Sequence, residues 1–257
     1  YMRAATSRQI DNSLESRAGR SYRERPGYGY QFWVIDENGF KLSGMGSQSA
    51  LAFPEQDLIV ATTADTQGNA YAYEIDTAVY EELLPALGEP LPADDNAYSQ
   101  LQSRLSSLTL ETQWGERSSE LSGKWNGRRF VMDENDMGIT ELSLSWDEGG
   151  GRFDYVNAQG PCSIAFGFGR NVEGKFPQTN YYGRRIGSCP GDKYRCFASA
   201  GWVEPHKLML RVYLCDRYFG NLTAVFSFKG DTVSLLMRKN AEWFLNEYDG
   251  FACGRCK

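Results

Sequence analysis

The chain has 257 residues, of which 41% are hydrophobic, 14% aromatic and 23% charged, and its formal net charge is −6 at pH 7. This composition excludes disordered, collagen-like and fibrous proteins, and the length allows one large domain or two small ones. An acidic chain is poorly suited to bind nucleic acid or an anionic membrane, so we expect neither as a partner. No run of about 18 apolar residues occurs, so the sequence predicts no transmembrane helix.

Residues 1–87 predict antiparallel strands followed by a helix, an α+β arrangement. After a polar, arginine-rich start, the aromatic run 28–35 leads through Asn38-Gly39, a tight-turn signal, into a return strand at 40–42. A glycine-rich break at 43–47 separates this strand from a further one at 48–53. Following a turn at 54–57, the run 58–63 is apolar enough to predict a buried central strand.

The apolar residues of the segment 70–87 lie at helical spacing, which predicts a helix there. Residues 88–95 form a proline-stiffened connector. A second helix is predicted at 96–109, where the apolar side chains recur at helical spacing: Tyr98, Leu101, Leu105 and Leu108. The expected division is therefore a first domain at 1–87, a linker with a helix at 88–115, and a second domain at 116–257.

The second domain is predicted to be all-β. Short strands with alternating or apolar patterns recur about every 8–12 residues, which indicates an antiparallel barrel or sandwich. The residues from 170 to 195 are expected to form a long excursion loop. Most aromatic residues of this domain, Trp114 included, are interpreted as core. The predicted strands cover residues 139–146, 152–155, 161–169, 196–203, 207–215, 222–228, 232–238 and 242–248.

The six cysteines show no disulfide framework. Cys253 and Cys256 form a lone CxxC, and Cys189 and Cys196 are spaced poorly for a second zinc-binding pair. We interpret the thiols as structurally incidental, with a metal site and redox chemistry as the alternatives, and we expect no metal or cofactor. His206, the single histidine, is interpreted as a solvated turn residue, with catalysis as the alternative. The compartment stays open, with the cytoplasm favoured.

One stretch carries a more specific pattern. Residues 27–63 read GYGYQFWVIDENGFKLSGMGSQSALAFPEQDLIVATT. This stretch contains, in order, an aromatic GYGY strand, a hairpin, Leu42-Ser43-Gly44, a glycine-rich turn, Pro54-Glu-Gln-Asp57 and an apolar strand. That order resembles the C-terminal strands of the serine β-lactamase and penicillin-binding-protein superfamily, in particular its class C-related members. The resemblance covers residues 1–87, a third of the chain, and implies a remnant of the β-lactamase-type antiparallel sheet with its C-terminal helix.

By this resemblance, Ser43 would line a catalytic cleft, and the backbone N–H of Met45 would be one donor of an oxyanion hole. Leu42 and Gly44 would contact the substrate. The sequence departs from the pattern at Leu42, where the family has Lys or His. Lys41 lies one residue too early to replace it, since its side chain would face the other side of the sheet.

The nucleophile motif S-x-x-K is absent from the chain. The resemblance therefore implies the C-terminal part of a larger serine hydrolase that acts on an ester or amide and is inactive without its upstream part. Because the chain begins with Tyr1, we expect it to be a piece of something longer. The expected partners are the missing N-terminal part of the same polypeptide or a second copy, because an incomplete first domain would leave an apolar sheet face exposed.

The start of the second domain, Gly123-Lys-Trp125, resembles the G-x-W start of lipocalin-like barrels, in which the Trp often plugs one end. Barrels of this size also resemble the domains appended to some of these serine hydrolases. The alternative function is therefore a non-catalytic β-barrel module that binds a small apolar ligand or mediates assembly. An empty apolar cavity would favour ligand binding, and a filled interior would favour packing.

Overall fold

The computed structural model describes residues 1–11, 27–35, 39–66, 74–89, 91–177, 181–182, 185–186, 194–215, 221–240 and 249–257. These residues form two compact units, Tyr1–Leu91 and Pro92–Lys257, which we call the sheet unit and the barrel unit. The division between the units falls inside the predicted connector at residues 88–95. In the described part of the chain, no helix is long and apolar enough to cross a membrane.

The sheet unit is a five-stranded antiparallel meander. The predicted strand at 28–35 is in fact two short strands, because Gln31 adopts a φ of 67° between them. Residues 36–38 of the predicted turn lie outside the described residues. The strands follow the order of the chain: β1 (Gly27–Tyr28), β2 (Trp33–Val34), β3 (Phe40–Gly44), β4 (Gln48–Phe53) and β5 (Leu58–Thr62).

The turns between these strands agree with the glycine and proline signals. Met45–Ser47 forms a single 3₁₀ turn between β3 and β4, in which Gly46 has a φ of 73°. Pro54–Gln56 forms a second 3₁₀ turn between β4 and β5. Both breaks occur where the sequence predicts them, because glycine tolerates the left-handed region and proline fixes its own φ.

One face of this sheet is covered by a helical segment. After a short N-terminal helix α1 (Met2–Ala5), the chain forms α2 (Glu74–Ala78), a π-turn (Val79–Leu83) and α3 (Leu84–Ala86). Residues 70–73 of the predicted helix lie outside the described residues. Lys41 on the covered face forms an ion pair with Asp76 of α2. The buried core of the unit is small, and its members are Ile35, Leu51, Phe53 and Val79.

The opposite face of the sheet is apolar and open. Leu42 is 44% exposed and Ile59 is 74% exposed. The prediction that 58–63 is a buried central strand is therefore wrong, since β5 is the edge strand of the sheet. An apolar run fits either position, because Leu58 and Val60 pack against the core while Ile59 alternates to the bare face. The expected exposed apolar face is present.

The barrel unit begins with helix α4 (Asp95–Ser107), which confirms the helix predicted at 96–109. Asp94 caps its N-terminus, where the backbone N–H of Ala97 donates to Asp94 Oδ1 over 2.9 Å. None of its residues is buried. The predicted apolar stripe consequently faces outward without cover, with Tyr98, Leu101, Leu105 and Leu108 all more than half exposed.

The strands of this unit match the predicted all-β pattern, with two differences. Residues 170–195 were expected to be a loop, yet they contain three short strands, and the predicted strand at 242–248 lies outside the described residues. The strands are β6 (Arg129–Met132), β7 (Glu141–Trp146), β8 (Gly150–Asn157), β9 (Gly160–Phe168), β10 (Val172–Lys175), β11 (Tyr181–Tyr182), β12 (Arg185–Ile186), β13 (Arg195–Glu204), β14 (Lys207–Leu214), β15 (Asn221–Lys229), β16 (Thr232–Asn240) and β17 (Asp249–Cys256).

The sheet of this unit closes into a barrel. Its order is β10-β13-β14-β15-β16-β17-β6-β7-β8-β9, and β9 returns to pair in parallel with β13. The closing pairs are Ser199 with Gly167 and Ala200 with Phe168. The chain is thus mostly β, with a closed nine-stranded barrel and few helices. Closure removes the open edges that an antiparallel sheet otherwise exposes.

Side chains fill the interior of the barrel. Alternate residues of each strand point inward, as the strict alternation along β14 and β15 shows. The largest inward side chains, among them Phe130, Phe153 and Phe226, are fully buried. Among the described residues, the buried polar side chains are Gln113 and Ser199, and neither is charged. The interior is therefore an apolar core and not a water-filled cavity.

A strap formed by residues 113–116 crosses the outside of β13. The backbone N–H of Gln113 donates to Ser199 Oγ over 2.8 Å, and Glu116 exchanges backbone hydrogen bonds with Trp202. At the crossing, a Cβ added to Gly201 would lie 2.6 Å from the carbonyl oxygen of Trp114. The strap reaches the strand this closely because Gly201 has no side chain.

Candidate functional site: the aromatic end of the barrel

The residues predicted to contribute to catalysis lie on the sheet unit. Ser43 pairs with Ser49 across β3 and β4, and Gly44 pairs with Gln48. Leu42, Ser43 and Gly44 are all exposed, and Met45 begins the 3₁₀ turn. These four residues are adjacent in the structure, but their catalytic and substrate-binding roles stay predictions.

The cysteines do not assemble into a site among the described residues. The five cysteines that the structure describes form no disulfide bond with one another. Cys253 and Cys256 lie three residues apart on β17, so their side chains alternate to opposite faces and the CxxC cannot act as one chelating pair. In the described ranges, no group of three or more His, Cys, Asp or Glu residues could hold a metal ion.

His206 lies in the turn between β13 and β14 and is exposed, with Nε2 3.5 Å from the carboxylate of Glu204. This position matches the predicted turn residue.

Buried thiols differ in chemistry from the exposed ones. Burial raises the pKa of the Cys196 thiol to about 11, and the neighbouring Cys215 adds to the shift. Cys196 is consequently protonated at neutral pH, and a protonated thiol is a poor nucleophile. The inward-facing thiols therefore act as small apolar side chains of the core.

The densest cluster of aromatic rings closes one end of the barrel. We call Trp125, Trp146, Trp202 and Phe228 the aromatic end. Trp202 precedes the hairpin turn between β13 and β14, Phe228 precedes that between β15 and β16, and Trp146 precedes that between β7 and β8. Three hairpins thus meet at this end, and each contributes one inward-pointing ring.

Trp125 closes this end as a plug. It follows the turn Ser122–Lys124 and precedes β6, so it lies just before the first strand and not in it. Its ring stacks on Phe228 with the centroids 4.7 Å apart, and its Nε1–H donates to the carbonyl oxygen of Gly230 over 3.0 Å. The plugging role predicted for Trp125 is therefore confirmed.

Trp202 lies between the other rings of the aromatic end. Its centroid is 6.5 Å from that of Trp125, 5.5 Å from that of Trp146 and 6.1 Å from that of Phe228. The side chain is 3% exposed, yet its Nε1–H has no hydrogen-bond acceptor among the described residues. Since buried donors in native proteins are satisfied in roughly 90% of cases or more, this N–H marks a position where an acceptor belongs.

Packing at this end is less complete than in the middle of the barrel. Trp146 and Leu121 contact the core but are only partly buried, whereas the interior rings are fully buried. Arg128 lies near this end, and its hydrogen bond to Asp231 raises the pKa of its guanidinium. The charge of Arg128 is thus already paired at the surface by that of Asp231.

A second concavity lies on the outside of the barrel, over β6 to β9. Its volume is about 460 Å³. Arg129 and Glu141 in its wall form an ion pair, and Asp154 pairs with Arg152 over 2.8 Å. Its charged groups are thus paired, and the rest of its lining is mixed, with Leu142, Val156 and Pro161 among the apolar members.

The matches of this chain to known proteins are matches to solved structures. No family model matches the chain, and no curated protein matches it. One similar structure is a fatty acid-binding protein from brain tissue of Drosophila melanogaster, at 7% identity and a TM-score of 0.36, covering 51% of this chain and 98% of that one.

Two further structures give similar values. The REP1-NXSQ fatty acid transporter has 6% identity and a TM-score of 0.36, covering 53% of this chain and 98% of its own. A Schistosoma mansoni fatty acid-binding protein in complex with arachidonic acid has 11% identity and a TM-score of 0.38, covering 54% and 99%. With every TM-score below 0.5, no argument about a ligand rests on these likenesses.

The predicted resemblance to serine β-lactamases and penicillin-binding proteins is wrong. The structures that match are fatty acid-binding barrels, and neither the family models nor the curated proteins support a hydrolase of that kind. The physical reason lies in the motif itself. A meander needs glycine-rich and proline-containing turns between apolar strands wherever it occurs, so that order of residues specifies a hairpin geometry and not a chemistry.

Trp146 and Trp202 belong to the aromatic residues that the sequence pattern places in the core, whereas Phe228 is not singled out by the sequence, and the prediction does not group the three. Each lies at the end of a predicted strand next to a hairpin turn, which is the signal that could have placed them together at one end. The interpretation of Trp114 as core is wrong, since it is 65% exposed on the strap. It contributes its backbone, and not its ring, to the contact with Gly201.

Proposed function

We propose that the barrel unit is a non-catalytic module that binds a small apolar ligand. The observation that carries the proposal is the apolar character of the side chains inside a closed barrel. Because these side chains fill the interior, which by itself favours packing, binding requires some of them to move aside. In the described part of the unit, no charged side chain is buried in the interior. Ligand sites of this kind are lined mainly by hydrophobic and aromatic groups with a few polar ones to fix orientation.

The aromatic end is the entrance that we propose. Because the centre of the barrel is filled by side chains such as Phe153 and Phe226, a ligand must enter where side chains are easiest to displace. Trp146 is the partly buried ring of the cluster, and it contacts Trp202 edge to face. Rotation of Trp146 away from this contact would admit an apolar chain between the remaining rings.

The test is titration of the full chain with Nile red, an uncharged dye whose emission rises in apolar surroundings. We expect saturable binding with one site per chain in the wild type. Trp146→Ala should lower the affinity about 2- to 13-fold, since an aromatic contact contributes about 0.5–1.5 kcal/mol beyond its area. Trp114→Ala, which removes an exposed ring from the strap, is the matched control and should leave the affinity unchanged.

Two results would overturn this proposal. Dye binding that never saturates indicates adsorption to exposed apolar surface. Equal responses of the two variants place the site away from the aromatic end.

A second candidate function is assembly, including a homodimer. The observation that favours it is the uncovered apolar stripe of α4 together with the open face of the sheet unit. Sedimentation velocity of the full chain tests it, with Leu101→Glu and Leu105→Glu together as the variant. We expect the wild type to self-associate with rising concentration and the variant to stay monomeric. A wild type that is monomeric throughout rules this candidate out.

A further inference from the structure

The unsatisfied N–H of Trp202 identifies the chemistry of the ligand more closely than the apolar lining does. Leaving a buried donor without an acceptor is costly, because the donor loses its hydrogen bonds to water and gains none in return, so native structures rarely contain one. Trp125 provides the internal comparison. It belongs to the same cluster and is equally buried, yet its Nε1–H is satisfied by the carbonyl oxygen of Gly230. Of these two indole donors of the aromatic end, the one without an acceptor is therefore that of Trp202.

Resting on the function proposed above, we propose that the ligand is an uncharged molecule with an apolar body and one oxygen acceptor, such as a ketone or an ester carbonyl. The Nε1–H of Trp202 donates to that oxygen. An indole N–H is a donor only, so the matching group must accept a hydrogen bond. The apolar body of the ligand lies against the rings of Trp125, Trp146 and Phe228.

The absence of charge in the ligand follows from its surroundings. A buried carboxylate needs a cation or several donors, because moving an unpaired charge out of water is far more costly than moving a carbonyl group. The described barrel interior contains no charged side chain. Arg128, a cation at this end, lies at the surface and pairs with Asp231 over 2.9 Å. The single neutral N–H of Trp202 can therefore satisfy one neutral oxygen of the ligand.

The experiment uses three probes with chains of similar length: 2-dodecanone, dodecane and dodecanoate. Each competes with Nile red on the full chain at pH 8, where the carboxylate is ionised. We expect the ketone to bind at least about tenfold more tightly than the alkane, the ratio that a single satisfied hydrogen bond of about 1.4 kcal/mol gives. The carboxylate should bind no more tightly than the alkane.

Trp202→Phe removes the donor and keeps an aromatic ring. In this variant the preference for ketone over alkane should fall to about one, while alkane binding persists. Trp114→Phe is the matched control, because this ring is exposed on the strap and lies outside the aromatic end, so the ketone preference should survive. The Nε1–H resonance of Trp202 in the unmodified protein is a second measurement that does not depend on the folding of a variant. It should move downfield with the ketone and not with the alkane.

Each outcome decides a different part of the argument. If the alkane and the ketone bind equally well and the Trp202 resonance does not move with the ketone, this inference is wrong while the proposed function stands. If the carboxylate binds best, the ligand is not uncharged and the inference is again wrong. If none of the three displaces the dye, both this inference and the proposed function fail.

Discussion

The sheet unit and the barrel unit are built from the same kind of antiparallel strand, yet they differ in completeness. The barrel pairs its last strand with β13, so its inward faces meet in one continuous core. The sheet unit ends in the edge strand β5, and the buried core cluster among its described residues is small, formed by Ile35, Leu51, Phe53 and Val79. The difference shows that an apolar pattern alone does not determine burial. Closure or a covering layer decides which face becomes core.

The largest effect is expected in the middle of the barrel. Phe226 is fully buried, and its ring packs edge to face on Phe153 with the centroids 4.8 Å apart. We expect Phe226→Ala to lower the free energy of unfolding of the barrel unit by about 3–5 kcal/mol, because it removes a large side chain and leaves a cavity. Urea denaturation followed by tryptophan fluorescence measures this loss. A loss below about 1 kcal/mol would mean that the interior is loosely packed.

The sheet unit should respond separately to a change in its own core. Leu51 is fully buried between Lys41 on β3 and Val60 on β5. Leu51→Ala is expected to cost about 2–5 kcal/mol in that unit and to leave the barrel transition in place. Differential scanning calorimetry distinguishes the two transitions. A single transition that shifts as a whole would contradict the division into two independent units.

The strap across β13 provides a test of intermediate size. Gly201→Ala places a Cβ within 3.0 Å of the backbone of Trp114 and Gly115, so the strap or the strand must shift. We expect a loss of about 1–3 kcal/mol, as for other overpacked sites. Gly123→Ala is the control, since nothing lies within 4 Å of the added Cβ. Equal effects of the two changes would show that the strap does not press on the strand.

A smaller effect should appear at alkaline pH. The folded-state pKa of Cys196 is raised above its ordinary value of 9.0 to about 11, because burial disfavours the thiolate. A group whose pKa is raised on folding contributes stability that is fully present below pH 9 and is lost as the pH rises towards 11. The free energy of unfolding should therefore fall over this window, and less steeply in Cys196→Ala. Identical slopes in the two proteins would refute the assignment.

The smallest effect is expected on the open face of the sheet unit. Ile59 is largely exposed on an edge strand, so Ile59→Lys should change the free energy of unfolding by less than about 0.5 kcal/mol. The solubility of the Ile59→Lys variant should nevertheless rise, because a lysine on an edge strand opposes strand pairing between chains. Thermal denaturation and light scattering measure the two effects. A large loss of stability would mean that this face is covered.

The sequence predicted the local structure better than it predicted the site. The breaks predicted at 43–47 and 54–57 follow from their turn residues, since Gly46 has a φ of 73° that glycine adopts readily. Helix α4 was found from its periodicity, although periodicity could not reveal that the stripe is exposed. The inward alternation of β14 and β15 likewise agreed with the pattern.

Closure of the barrel and the aromatic end could not be predicted in the same way. The parallel pairing of Ser199 with Gly167 joins strands far apart in the chain, and no local pattern specifies it. The lack of an acceptor for Trp202 depends on the positions of all its neighbours. The motif around Leu42-Ser43-Gly44 led to a wrong prediction, because residues that specify a turn were interpreted as an active-site motif.

The most direct test of the central claim is a map of contacts between a bound ligand and the protein. Intermolecular nuclear Overhauser effects between 2-dodecanone and the full chain distinguish the two apolar surfaces. We expect contacts to the rings of Trp125, Trp146 and Trp202 in the barrel unit. Contacts confined to Leu42 and Ile59 on the open sheet face would contradict the claim, because the ligand would then be adsorbed to exposed surface and not held by the barrel.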